Sequence, residues 1–169
     1  MAKVLFVKPE DVKRMTIIDG SVDVNLLKQH MHIAQDIHIQ NYLGTDLYNR
    51  IEAGVIASNL NANETILLND YVQDAMIHFS AAEYLGFAPY SVKQGGVFKH
   101  ISENDQSADV DEVDKLAQKE MDRAEYYTKR LTDYLCYNKS LYPEYSTNTE
   151  ADIRPDNEVN YTGGFYLGS

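Results

Sequence analysis

Apolar residues recur with helical spacing along three long stretches of this chain, and those stretches set the expected architecture. From about Asp23 to Leu43, the positions Leu26, Leu27, His30, Ile33, Ala34 and Ile37 share one helical face, while Lys28, Gln35 and Asp36 point elsewhere. From about residue 62 to 86, Leu67, Leu68, Tyr71, Ala75, Phe79, Ala82 and Leu85 do the same, until Gly86 and Pro89 stop the pattern. Asn61 followed by Glu64 is a capping-box start for this helix. The third and longest stretch runs from about 109 to 138 on Val110, Val113, Ala117, Met121, Ala124, Leu131 and Leu135, opened by a second box, Asp109 with Glu112.

Shorter elements fill the gaps. Val4–Val7 is an apolar run ended by Lys8-Pro9, and Pro9 suits the first turn of a short helix with Glu10 and Asp11 near its positive end. Ile17-Ile18 lead into an Asp19-Gly20 turn. Another short helix is expected over Asp46–Ala53, stopping at Gly54. Gly44 sits where a left-handed helix-ending residue is wanted, and Thr45 is placed to cap the turn that follows. Gln94-Gly95-Gly96 turns into Val97–Ile101, a strand or an extended arm, and Ser102–Ala108 reads as a polar loop. The expected fold is therefore mostly α: a small bundle of three principal helices plus short ones, with an extended loop and an extended C-terminal arm. Residues 1–143 form the helical domain and 144–169 the arm, where helical periodicity vanishes.

Composition narrows the chemistry. At 169 residues with 44% hydrophobic content, the chain is long enough to bury a core without disulfides or metals. The start, MAKVLFVKPEDVKR, carries no apolar signal-peptide core, and no run approaches the roughly 20 apolar residues that span a bilayer. The lone Cys136 makes no internal disulfide and reads as a small packed apolar group, which points to synthesis in the cytoplasm. Lys and Arg number 15 against 26 Asp and Glu, a net charge of −11. Such a surface repels phosphate backbones, and no basic run along the sequence is longer than two residues, as in Lys129-Arg130.

Candidate chemistry is sparse. No Gly-x-Ser-x-Gly elbow, Walker A loop or Gly-x-Gly-x-x-Gly fingerprint occurs. Two acid–histidine pairs, His32/Asp36 and Asp74/His78, have the i,i+4 spacing that puts both partners on one helix face. Facing helices could then hold a divalent metal, but the Glu-x-x-His motif of helical di-iron sites is absent, so neither a cofactor nor a catalytic residue is expected. His30 and His78 fall on apolar faces and read as hydrogen-bonded core or boundary histidines. Of 13 tyrosines, eight lie between Tyr126 and Tyr166. Tyr127 and Tyr134 fit core positions. In the arm, Val159, Tyr161, Phe165, Tyr166 and Leu167 are candidate interface anchors, because an acidic, aromatic, glycine-punctuated tail has no core of its own.

One stretch carries a family resemblance. Ile33–Ile51 reads IAQDIHIQNYLGTDLYNRI, a helix that breaks at Leu43-Gly44 and restarts at Thr45-Asp46. In this small acidic helical chain it resembles the head–tail connector proteins of tailed bacteriophages, in particular the ring-forming adaptors of Bacteroidetes and crAss-like phages. The resemblance covers roughly Val4–Leu135 in layout. It implies a structural virion subunit in the neck that assembles into a homo-oligomeric ring, commonly of twelve, beneath the portal. The portal and other neck or tail proteins would be its partners, and DNA would pass through the lumen without tight binding. No functional residue is transferred by it. Two other classes remain open from the residues: a helical partner-binding module, and a small metal-dependent helical enzyme.

Overall fold

The computed structural model describes residues 3–93, 96–99, 110–147 and 152–156. Its helices are α1 (Pro9–Met15), α2 (Val24–Ala34), α3 (Gln40–Leu43), α4 (Thr45–Ala57), α5 (Ala62–Leu67), α6 (Gln73–Phe87), α7 (Val110–Tyr137) and α8 (Glu144–Thr147). Two π-helical turns, Gln35–Ile39 and Leu68–Val72, join α2 to α3 and α5 to α6. A hairpin of β1 (Tyr90–Lys93) and β2 (Gly96–Lys99), paired with Lys93 opposite Gly96, follows α6. The protein is a mostly α bundle, with the three principal helices where the apolar spacing predicts them.

α6 is the centre. It packs against α7 on one side and α2 on the other, with α1 across it. Consecutive residues from Ala75 to Ala82 are buried, so this helix is enclosed almost all round rather than showing one wet face. Leu27, Met31, Ile39, Leu43, Leu47, Ile51, Leu67 and Leu131 complete the core around it. The capping box at Asn61 and Glu64 forms as expected: Asn61 Oδ1 accepts from the Glu64 amide and Glu64 Oε2 from the Asn61 amide, each at 2.9 Å. Asp109 of the second expected box lies outside the described residues.

The second helix departs from its sequence reading in phase. Leu27, His30, Met31, Ala34, Gln35, Ile39 and Leu43 face inward, whereas Leu26, Ile33 and Ile37 are 44%, 39% and 58% exposed. The π-turn bears on Ile37 alone of these three: its wider pitch admits an extra residue and carries the buried line from Ala34 and Gln35 to Ile39. Gln35 fixes the inward side. Its fully buried amide accepts from the Phe6 N–H at 2.9 Å, and donates to the Val4 carbonyl at 2.8 Å and to the Tyr48 hydroxyl at 2.9 Å. The extended N-terminal segment has no strand partner among the described residues, and a side chain supplies hydrogen bonds to it.

Two glycine expectations resolve differently. Gly44 does end α3 at φ +73°, ψ 157°, a conformation that disfavours side chains. Thr45, however, is the first residue of α4 rather than its cap. Gly54 does not stop α4, which continues to Ala57 and ends at Ser58 in the left-handed region. A side chain at Gly54 would meet Leu60 Cδ2 at 2.5 Å, so the missing Cβ leaves room for the returning chain.

The packed body also extends past the expected boundary at 143. Tyr145, beyond it, is 2% exposed, and Glu144 is bonded to Arg50 of α4. Residues 152–156 lie along the α3–α4 junction as a strap. Helical periodicity could not find them because they are held by pairing to another segment rather than by a stripe of their own.

Candidate functional site

The most concentrated polar chemistry among the described residues lies in the seam between α6 and α7. His78 reaches across from α6, and its Nδ1–H donates to Glu120 Oε2 at 2.6 Å. The Glu120 carboxylate is almost fully buried and also takes a charge-assisted bond from Arg123, one turn further along α7. Tyr127 stacks on the His78 ring at 5.4 Å with planes 6° apart. Beside the group lies an open concavity of about 550 Å³, lined by Met15, His78, Asp122, Arg123, Tyr126 and Tyr127. An imidazole oriented by a carboxylate is half of an acid–base device. Here its hydrogen bond is spent on Glu120, and the arrangement couples two helices.

A second cluster ties the C-terminal region to the body. Arg50 Nε donates to Glu64 Oε1 at 2.7 Å, and Arg50 Nη1 reaches both Glu144 oxygens at 2.9 and 2.8 Å. One guanidinium thus joins α4, the capped start of α5, and α8. Burial also marks this side of the body: the Tyr48 phenol, enclosed under the N-terminal segment, is pushed up to about 12.

The third arrangement is a clasp at Leu43-Gly44-Thr45-Asp46. The Thr45 amide donates to the Ile153 carbonyl at 2.9 Å, and the Ile153 amide donates back to Thr45 Oγ1 at 3.2 Å. Thr45 Oγ1 also donates to Asp152 Oδ2 at 3.0 Å, and the Asp156 amide to the Asn41 carbonyl at 2.9 Å. Pro155 sits where a Gly44 side chain would be: an added Cβ would stand 2.6 Å from its ring. The glycine is needed twice, for its backbone angle and for the approach of the strap.

The expected acid–histidine pairs do not form sites. His78 bonds Glu120 rather than Asp74, and Asp36 pairs with Lys3 rather than His32. Among the described residues no group of three or more His, Cys, Asp or Glu could hold a metal. His38 bonds Glu83 at 2.9 Å and stacks on Phe79 at 4.1 Å. Cys136 is half-buried against the core, as are Tyr127 and Tyr134. The anchors Val159, Tyr161, Phe165, Tyr166 and Leu167 lie outside the described residues.

Two features were missed in the sequence reading. Glu120 falls between Ala117 and Ala124 on the apolar stripe of α7, and an acid on a core stripe is the signal that could have found it. The basic residues of α7 also align better than the Lys129-Arg130 pair suggests. Lys115, Lys119 and Arg123, at successive i,i+4 steps, and Arg130 further on, lie along one exposed edge of the 28-residue helix. Asp122 and Asp133 flank them, and Arg123 is already engaged by Glu120.

Bundle, seam and clasp define a small helical protein whose charged clusters hold its own segments together. The chain belongs to the family of unknown function DUF6712, whose model matches residues 39–155. That span begins at the end of the first π-turn and ends in the strap, so it takes in Gly44, Thr45 and residues 152–155 of the clasp, with Asp156 just beyond it. No curated protein and no solved structure matches the chain. Among the described residues no helix is long and apolar enough to cross a membrane.

Proposed function

We propose that this protein is a structural subunit of the head–tail connector type. It is made in the host cytoplasm and incorporated into the virion neck as a ring beneath the portal, without catalytic activity or a cofactor. The observation that carries the reading is the clasp. It holds residues 152–156 against the Leu43-Gly44-Thr45-Asp46 segment that bears the resemblance, and so delivers the following residues, with their aromatic anchors, at one defined corner of the body. A subunit that must reach a neighbour needs an extension launched from a fixed point, because a fixed launch point limits the ordering entropy lost on docking. Val159, Tyr161, Phe165, Tyr166 and Leu167 are the proposed contacts with a neighbouring subunit or the portal in the assembled ring. The acidic surface suits a lumen through which DNA slides without sticking.

Native mass spectrometry and electron microscopy of the full chain, alone and co-expressed with the portal of the same phage, test this. Rings of one fixed stoichiometry, with or on the portal, are expected. A monomer or dimer under all these conditions would instead favour a partner-binding module. Duplex DNA should bind negligibly at physiological salt; a micromolar dissociation constant with a steep salt slope would defeat the charge argument.

A further inference from the structure

The flank of α2 poses a question that the bundle does not answer. Leu26, Ile33 and Ile37, spaced by seven and four residues, line one side of the helix and all stand in solvent. At the neighbouring end of α6, Phe87 is 61% exposed and stacks on His30 of α2 at 5.4 Å, so it continues the same apolar surface. Isolated exposed hydrophobes are ordinary, but a line of them along one helix needs an occupant.

The chain supplies a candidate at the right place. The last described residue, Asp156, is hydrogen-bonded to the Asn41 carbonyl, one helical turn beyond Ile37 on the same helical column. From Asn41 back to Leu26 is roughly 22 Å at the helical rise. Residues 157–169, fully extended, reach roughly 43–47 Å. They carry a single charged side chain, Glu158, in a protein of net charge −11, so they meet little like-charge repulsion over this surface. Val159 and Tyr161 are two apart, which puts both on one face of an extended segment. At about 3.3 Å per residue Val159 comes beside Ile33 and Tyr161 reaches the turn beyond it. Gly163-Gly164 then permits a bend that brings Phe165, Tyr166 and Leu167 onto Leu26 and Phe87.

We infer that in the unassembled protein the C-terminal segment 157–169 folds back along its own α2, covering Leu26, Ile33, Ile37 and Phe87. The flank is then the resting seat of the arm, vacated when the arm engages a neighbour. This holds whether or not a ring ever forms, so its failure and the failure of the connector reading are separable.

The protein contains no tryptophan, so Phe165→Trp gives a probe without background. In the dilute full-length variant, blue-shifted emission that does not change on further dilution is expected. Adding Ile33→Asp and Ile37→Asp should return it to the emission of water-exposed indole, with the far-UV circular dichroism unchanged because both positions are exposed. A disulfide between Ile33→Cys and Val159→Cys, placed in a Cys136→Ser background, should form within one chain. Water-exposed emission in the parent variant, a blue shift that survives the two aspartates, or disulfides that form only between chains would each overturn the proposal. The last result would identify a second copy's tail as the occupant.

Discussion

The two faces of α6 treat a histidine in opposite ways. On the α7 side, His78 is buried and bonded: Glu120 accepts the hydrogen bond from its Nδ1–H, Arg123 pairs with Glu120, and Tyr127 covers the ring. On the α2 side, His30 is almost as buried, at 8% exposure, yet its Nδ1 has no hydrogen-bond partner among the described residues. It is held by stacking on Phe87 and by an edge contact with Tyr84. The α7 seam is therefore specified by directional bonds, and the α2 flank by shape and burial. A polar group in a closed interface stabilises only when its partners are complete, and otherwise it is a cost tolerated for some other reason.

The seam should be the more fragile of the two. Glu120→Ala strands the His78 nitrogen and leaves a void, at a cost of about 3 kcal/mol, read as a lower denaturation midpoint with unchanged slope. His78→Phe combined with Glu120→Leu should recover most of that loss, because a packed apolar pair can replace a buried polar one. If the double variant is as unstable as Glu120→Ala alone, satisfaction of the pair is not what the seam depends on.

At the far end of the α2 column, Gly44→Ala forces a Cβ into a positive-φ position and into Pro155. A loss of about 1–3 kcal/mol is expected, with faster amide exchange at Thr45 and Ile153 as the strap lifts. Unchanged protection at those amides would mean that the clasp does not depend on the glycine.

His30→Phe should do the reverse of a seam mutation. It keeps the aromatic stack on Phe87 and deletes an unpartnered nitrogen, so a gain of up to about 1 kcal/mol at neutral pH is expected in chemical denaturation. A loss of the size seen at Glu120 would erase the contrast between the faces.

The smallest effect is one of pH. Burial lowers the pKa of His30 below its ordinary 6.5, with nearby Glu83 offsetting part of the shift. The folded state then binds fewer protons than the unfolded state below about 6.5. The stability associated with a neutral His30 is present above that value. It declines as pH falls from 6.5 to the lowered folded pKa, and is constant beneath it. His30→Phe should remove this part of the slope, and an identical pH profile in the two proteins would show that His30 does not titrate as described.

The same contrast separates what could be read from the chain and what could not. The three principal helices and the Asn61–Glu64 box were legible because apolar spacing and capping are local, set by residues three and four apart. The inward face of α2 was not. Leu26, Ile33 and Ile37 look like a core stripe, and Gln35 looks like a surface residue. The inward side is the one whose Gln35 serves the Val4–Phe6 backbone, some thirty residues away in the chain. The Glu120 partnership was hidden for a like reason. His78 sits four residues from Asp74, but its bond crosses 42 positions to another helix.

By itself, then, the sequence determined helix content, helix ends marked by caps, and an acidic chain without a recognisable catalytic motif. Gly44 was legible as a helix end because positive φ is a local property. Its second role, admitting Pro155 of the strap, was decided only by the tertiary structure. So were the burial of Tyr142 and Tyr145 and the exposure of the α2 flank. Local rules act between neighbours along the chain, whereas the phase of a helix and the seat of a strap depend on what packs against them from elsewhere.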